Sequence, residues 1–535
     1  MRRFQQLLQG LDRTTGTSAK QQLLENYFRE APAADAAWGL ELLLGKRRRR
    51  LITGRRLRQV AQQVSGLPAW LFDDCHAQVG DSAETVALTL PAGDRQADDQ
   101  PLHQWMERSL PELAALDSER QDKALAALWD GLCQDDIYLL SKLLSGGFRV
   151  GVSSGLVQKA LAGAAGVEPS TIAQRLMGGI EPSAGTFEQL MSSEAEAGGP
   201  PPGRPYPFFL ASPWDSENRP PWQVDQWQTE WKWDGIRAQL IRRRGEVFLW
   251  SRGEELINQA FPDVVQLAEQ LSDGTVLDGE LLVWPSESPQ PHDFGSLQRR
   301  LGRKNPGRSL LAECPAALIS YDLLEAGGND LRPQALRNRR QQLEAMASNW
   351  SGNLRLSATL TIESWDALEQ WRSQARAHAA EGLMLKALDS PYLEGRKRGH
   401  WWKHKLDPLS LDAVLLYAQA GSGRRANLFT DYTFGLWNGG QPPQLVTFAK
   451  AYSGLNDQEI NELDRWIRRN TLQRFGPVRS VKAEQVFEIG FEGIHLSSRH
   501  KSGIAVRFPR ILRWRQDKPA DEADTLPTAE ALLKP

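Results

Sequence analysis

The sequence predicts a multidomain chain: an all-α N-terminal domain, a mixed α/β central domain and a small β-barrel after it. Three observations predict this. At 535 residues the chain exceeds what one hydrophobic core accommodates. Apolar residues recur at three- and four-residue spacing up to about residue 195, then in short β-prone runs beyond it. Between the two textures lies Gly198-Gly199-Pro200-Pro201-Pro202-Gly203-Arg204-Pro205-Tyr206-Pro207, whose Pro/Gly density reads as a linker.

The elements follow in order. Gln121–Trp129 and Ile137–Leu144 carry apolar residues at helical spacing, and strand-like alternation is nearly absent before residue 195. After the linker, Ala238–Ile241, Val247–Trp250 and Leu281–Trp284 read as strands. Gln334–Met346 and Trp365–Ala380 read as helices between later strands, which makes a mixed domain reaching to about residue 405. Beyond it, Ala413–Tyr417, Tyr432–Trp437 and Val486–Ile489 are short strands, interrupted by a helical insert over Asp457–Asn470. Few strands with long turns suggest a barrel of the OB type. The acidic, Pro/Ala-containing end from Ala520 is expected to fray.

Composition narrows the function classes. Hydrophobic and charged contents of 41% and 24% are ordinary globular values. A formal charge of −2 excludes a uniformly basic nucleic-acid binder but leaves room for local basic faces. Three cysteines without CxxC spacing argue against a structural zinc site and a disulfide framework. The N-terminus MRRFQQLLQGLDR has no long apolar run, and no window of about 18 apolar residues occurs elsewhere. A soluble cytoplasmic protein, not associated with a membrane, is expected.

Several short motifs are ambiguous one at a time. TEWKWDGIR (Thr229–Arg237) sets Lys232 between two tryptophans and ahead of Asp234-Gly235; it reads as a strand end with a turn, or as a presented lysine nucleophile. Leu277-Asp278-Gly279-Glu280 by itself reads as a hairpin turn. Glu381–Lys386, EGLMLK, reads as a buried strand with charged ends, and Trp401–Lys405, WWKHK, as an edge strand with solvated lysines. Arg507–Arg515, RFPRILRWR, reads as a basic surface strand. In the N-terminal region Lys46–Arg50 with Arg55, Arg56 and Arg58 reads as a solvated loop or a phosphate-backbone contact. Leu144–Val152 carries glycines ahead of a helix whose backbone amides can hold a phosphate, or merely caps a helix–helix turn.

Taken together and in this order, KWDGIR, Ser251-Arg252-Gly253, LDGE, Tyr321-Asp322, EGLMLK, WWKHK and RFPRILRWRQDK resemble the nucleotidyltransferase motifs of ATP-dependent DNA ligases. RNA ligases and mRNA capping enzymes share that superfamily. The resemblance spans residues 205 to 518 and, more loosely, the N-terminal region. It implies a helical DNA-binding domain over 1–197, a linker over 198–207 and an ATP-grasp-like adenylation domain over 208–405. An OB-fold domain over 406–518 and a flexible tail over 519–535 complete the expected organisation.

The resemblance also implies residue roles. Lys232 would become AMP-modified, Asp234-Gly235 making the turn that presents it, with the flanking tryptophans packed on either side of their strand. A lysine nucleophile must be neutral, whereas the free amine titrates near about 10.4. Nearby cations and a bound metal favour the neutral form, and Lys403, Lys405 and Mg²⁺ are the candidates. Glu280 and Glu381 would ligate Mg²⁺ directly or through water. Tyr321 would face the purine, Arg237 and Arg252 would hold ribose and phosphate, and Glu230 would read the adenine edge. Arg507 and Arg510 would approach the triphosphate as the last domain swings over the site. In the family an arginine lies six positions before the first lysine of the fifth motif. Here that position is Lys397, flanked by Arg396 and Arg398, with Arg396 carried as the candidate.

The resulting expectation is a monomeric ATP-dependent enzyme that seals nicked double-stranded DNA in repair. An RNA ligase and a non-catalytic DNA-end binder stand as alternatives. A capping guanylyltransferase fits poorly with a large helical N-terminal region, and an NAD-dependent ligase with the lack of a four-cysteine module.

Overall fold

A computed structural model describes residues 1–533 apart from 15, 46–49, 98–99, 147, 149–150, 177–179, 194–201, 216–222, 422–426 and 476–477. The basic cluster over 46–49, most of the glycine turn at 147–150 and the Pro/Gly stretch over 194–201 therefore lie outside the described residues. The chain divides into two compact units. One comprises Met1–Gln9, Arg47–Val150 and Asp407–Pro535, the other Gly10–Lys46 and Gly151–Leu406.

In the first unit the N-terminal segments are helical, among them Gly54–Ser65, Ser82–Thr89, Ser118–Trp129 and Gln134–Ser145. Local chemistry sets their ends. Asp81 and Asp117 cap by accepting from the backbone N–H of Glu84 and Arg120, and Gly66 and Gly146 close their helices in the left-handed conformation. The predicted apolar spacing is realised: Leu125, Trp129, Ile137, Leu140 and Leu144 are all buried. The C-terminal part is a sheet. Its long strand Leu409–Ala420 pairs with Phe429–Trp437, Val478–Val481 and Val486–Phe491, and Arg510–Trp514 adds to the last of these. The helical insert runs Asp457–Arg469 behind an Asn456/Glu459 capping box. Residues 519–533 do not fray as expected. Leu526–Glu530 is a short helix capped by Thr525, and Ala529 is fully buried in the core under that sheet. Leu526, Ala529, Leu532 and Leu533, at helical spacing, supply the packing face.

The second unit holds, among other helices, Thr17–Glu30, Ala33–Leu44 and Ser154–Ala165, a two-stranded sheet of Phe209–Leu210 with Gly395–Arg396, and two larger sheets. One sheet orders Thr359–Leu360, Trp227–Trp233, Ala380–Ala387, Trp401–Lys405 and Ser212–Pro213. The other orders Glu246–Ser251, Ile236–Arg243, Thr275–Val283, Ala316–Ala326 and Asn329–Asp330, with Leu354–Leu356 parallel to the fourth. Both contribute to one aromatic-rich core that includes Ile241, Val276, Leu324, Tyr392 and Trp401. The helix predicted from Trp365 stops at Gln374, and a single 3-10 turn carries the chain to His378 before left-handed Ala379 leads into the strand Ala380–Ala387.

Two sequence expectations are corrected here. Leu277–Glu280 is not a hairpin turn but the middle of the strand Thr275–Val283. Asp278 is buried there because Arg237 pairs with it, and Gly279 is required because a Cβ would meet the Ile319 carbonyl at 2.7 Å. Trp231 and Trp233 share one face of their strand, as residues two apart must. Trp231 stacks on His378 at 4.6 Å and meets Trp371 edge-on at 5.8 Å, while Trp233 meets Trp284 edge-on at 5.5 Å.

Candidate active site

Strand alternation separates the tryptophans from Glu230 and Lys232, which lie on the opposite face of Trp227–Trp233. The partner strand Ala380–Ala387 pairs antiparallel with it, Met384 opposite Glu230. Regular alternation would send Glu381 to the same side as Leu383 and Leu385, which pack on Trp231. An irregularity between Ala380 and Leu383 prevents that. Gly382 occupies φ +145 with the His404 carbonyl 2.2 Å from where a Cβ would stand, so glycine is needed to aim Glu381 inward. On the next strand Lys403 and Lys405 share a face while Trp402 and His404 take the other.

The result is a charge cluster centred on Glu381. Its Oε1 accepts from the Lys232 ammonium and its Oε2 pairs with Lys405 Nζ at 2.9 Å. Burial pushes the Glu381 carboxyl up, but the two ammonium groups prevail and hold it below the ordinary value. Glu280, half-buried in the facing sheet, has the opposite outcome. Burial raises it to about 7, against the pull of Lys232 and Arg237 and with the push of Asp278 and Glu381. Burial lowers the Lys403 ammonium, as do the charges of Lys232, Arg396 and Lys405.

Around this cluster the other sequence candidates are spread unevenly. Arg237, opposite Glu280 in register, gives two guanidinium nitrogens to Asp278 at 3.1 and 2.7 Å and a third to the Phe209 carbonyl at 2.5 Å. Tyr321 bonds Asp278 through its hydroxyl at 3.4 Å and lies under the Lys386 ammonium, 4.1 Å from the ring centre. Arg252 is exposed in the turn after Glu246–Ser251, its N–H donating to the Arg237 carbonyl at 2.9 Å. Arg396 is exposed at the end of a short bridge to Leu210. Arg398 is 3.9 Å from Asp215, and Lys397 acts on Glu394. Arg507 and Arg510 belong to the other unit. Arg507 stacks 5.0 Å from the Phe508 ring, and Arg510 pairs with Glu492 at 2.9 Å.

The structure adds partners that the motifs did not pair. Glu230, 1% exposed, is gripped by Lys386 at 3.0 Å, by the Ser357 hydroxyl at 3.2 Å and by the Gln228 amide. Lys386 closes EGLMLK, and a lysine on the buried side of a strand calls for a buried carboxylate partner, which is the signal that was available. Asp278 and Tyr392, bonded at 2.7 Å, organise Arg237; nothing in the sequence pairs them. Among the described residues no group of three or more His, Cys, Asp and Glu is placed to hold a metal ion. Nor is any helix there long and apolar enough to cross a membrane.

Comparison with known proteins bears on the same residues. The family described as "ATP dependent DNA ligase domain" matches residues 210–405, "DNA ligase N terminus" matches 1–162, and "ATP dependent DNA ligase C terminal region" matches 425–518. A probable DNA ligase of Koribacter versatilis is 34% identical over 421 residues, covering 74% of this chain and 71% of the relative. A DNA ligase of Archaeoglobus fulgidus is 28% identical over 436 residues, covering 79% and 77%. A solved structure named Pmar-Lig_Pre covers 96% of this chain and 99% of its own with a TM-score of 0.61 at 15% identity, a likeness of fold alone. A charge cluster built from the lysine, glutamate and paired-lysine motifs, and a match to all three parts of one family, lead to the same conclusion: the chain belongs to the ATP-dependent DNA ligases.

Proposed function

We propose that Lys232, once its ammonium has given up a proton, attacks the α-phosphorus of ATP through the freed lone pair, forming a phosphorus–nitrogen bond as pyrophosphate leaves with the electrons of the broken phosphorus–oxygen bond. The AMP then passes to the 5′-phosphate at a nick in duplex DNA, and the 3′-hydroxyl displaces it to seal the strand. The observation that carries this reading is the pair of ammonium groups, Lys232 and Lys405, on the two oxygens of Glu381. Such an arrangement suits phosphoryl transfer, which asks chiefly for positioning and charge neutralisation. Lys403 and Lys405 would neutralise phosphate oxygens, and Arg396, whose charge reaches Lys403, fits the arginine of the fifth motif better than Lys397 or Arg398.

Mg²⁺ fits the donor set. Glu280 is a half-buried carboxyl that desolvation raises to about 7, and Glu381 is a second oxygen donor nearby; Mg²⁺ commonly takes one or two carboxylates with substrate phosphates. Bound there, the ion would neutralise phosphate charge. Arg237 is committed to Asp278, so its contribution is to brace the ribose side of the site. The nucleotide-facing role of Arg507 and Arg510, an OB barrel over 406–518, the domain limits given above, a monomeric state, a cytoplasmic location and a place in repair belong to the same reading.

Its test uses the purified chain and a Lys232→Ala variant with Mg²⁺ and, singly, ATP, GTP or NAD labelled on the transferable nucleotide, without nucleic acid. Label from ATP retained on the denatured protein and lost in the variant is the expected result. Label from GTP or NAD, or none from a folded protein free of bound AMP, overturns it.

A further inference from the structure

The strand Trp401–Lys405, which carries both late lysines, is held unequally along its two edges. On one edge it pairs with Ala380–Ala387 as far as Lys405, which lies opposite Gly382. On the other edge the strand Ser212–Pro213 lies opposite Trp402 and Lys403 and, among the described residues, reaches no further. Carbonyls two residues apart point to the same edge of a strand. The Lys403 carbonyl on that outer edge accepts from the Trp214 N–H at 2.9 Å. The Lys405 carbonyl, past the end of the neighbouring strand, accepts instead from the Arg372 guanidinium at 3.1 Å.

Arg372 lies on the helix Trp365–Gln374, three residues after Glu369, and the Glu369 carboxylate orients it: Oε2 accepts from Arg372 Nε at 2.8 Å. The other oxygen, Oε1, accepts from His404 Nε2 at 2.6 Å. Strand alternation turns His404 away from the two lysines and toward this helix, with its ring 5.5 Å from that of Trp214. Burial pushes the Glu369 carboxyl up, but the hydrogen bonds from His404 and Arg372 prevail and hold it below its ordinary value. One carboxylate therefore grips the lysine strand at two consecutive residues, through the side chain of His404 and, by way of Arg372, through the main chain of Lys405. On the opposite face of the strand Lys405 Nζ meets Glu381 at 2.9 Å.

We propose that Glu369 and His404 are positioning residues for the nucleotide step: by fixing the end of the lysine strand from behind, they keep the Lys405 ammonium in the place where it neutralises phosphate. This rests on the reading of Lys232 as nucleophile and Lys405 as a phosphate-neutralising group. Neither residue touches the nucleotide, so each acts only through where Lys405 stands. A misplacement of about 1 Å in such a group can cost about a hundredfold in rate. The loss belongs chiefly in the maximal rate, because the charge that Lys405 meets is the one rearranged as the phosphorus–oxygen bond breaks.

The experiment measures the rate of label transfer from ATP to the full chain across a range of ATP concentrations, for wild type, His404→Phe and His404→Gln. Phenylalanine keeps a ring against Trp214 and loses the donor, whereas glutamine keeps a donor of similar reach and loses the ring. The maximal rate should fall about tenfold in His404→Phe, with the half-saturating ATP concentration within about threefold of wild type, while His404→Gln keeps most of the rate. A histidine that merely packs predicts the opposite order, and that order, or an unchanged maximal rate in folded His404→Phe, overturns the proposal. Glu369→Met, at a partly exposed position, releases both grips and should fall at least as far as His404→Phe. Adding His404→Phe to it should cost less than about twofold more, since both act through one carboxylate; losses that multiply overturn the shared role. Should His404→Phe not fold, Glu369→Met carries the test, an unchanged maximal rate again overturning the proposal. Wild type that takes no label from ATP overturns the nucleophile reading itself, an outcome distinct from a wild type that labels normally beside variants of unchanged rate.

Discussion

Glu280 is a carboxyl whose surroundings oppose its charge. Its ordinary value of 4.5 rises to about 7 in the folded chain, so between those values the fold holds a proton that the unfolded chain has released. Stability from this group is therefore unaffected below about pH 4.5 and declines as pH rises through 7. Glu280→Gln removes the penalty. The variant should be more stable than wild type by about 1–3 kcal/mol at pH 8 in a chelator, and equal to it at pH 4.5, while losing label transfer. Urea titrations at the two pH values check this, and an equal difference at both would sink it. Excess Mg²⁺ should narrow the gap at pH 8, because a cation favours the carboxylate. Lys232, Glu280, Glu381, Lys403 and Lys405 were legible as a group because their motifs come in a fixed order. Asp278 and Tyr392 were not, since a buried arginine's partners are chosen by the fold and carry no spacing rule.

At the scale of elements, the strand irregularity beside Glu381 has a direct consequence. Gly382 cannot accept a side chain without displacing the His404 carbonyl. Gly382→Ala should cost about 2–4 kcal/mol and reduce label transfer at least tenfold by turning Glu381 away from Lys232. A variant within about 0.5 kcal/mol of wild type by urea denaturation, with normal label transfer, would refute the role given to the irregularity. Elements with strong local determinants were read well: the capped helices before residue 195 and the insert at Asp457–Arg469 needed only periodicity and caps. Asp278-Gly279 was misread as a turn because Asp-Gly is a local turn signal, whereas its place in mid-strand depends on Arg237 and on the close approach of the Ile319 carbonyl. The tail was misread for a related reason, its burial of Ala529 being a gain that only a sheet core can supply.

For the molecule as a whole, the reading assigns Arg507 and Arg510 to the nucleotide step and not to the final sealing step. Replacing both by Ala should lower ATP label transfer to Lys232 by about 10–100-fold, the scale of losing donors to a phosphate in its transition state. Sealing of a nick that already carries 5′-AMP should stay within about threefold, since that step no longer needs ATP. Equal losses in both assays would move these arginines to DNA binding. The sequence alone determined the helical and sheet-bearing regions, the family and the lysine that carries the proposed chemistry, because periodicity, caps and ordered motifs are local properties of the chain. The tertiary structure decided which oxygens of Glu381 the lysines hold, why Glu280 resists ionisation and what grips Glu230. Those are outcomes of burial and of pairing across 149 and 156 residues, and desolvation has no value until the chain has closed over the group.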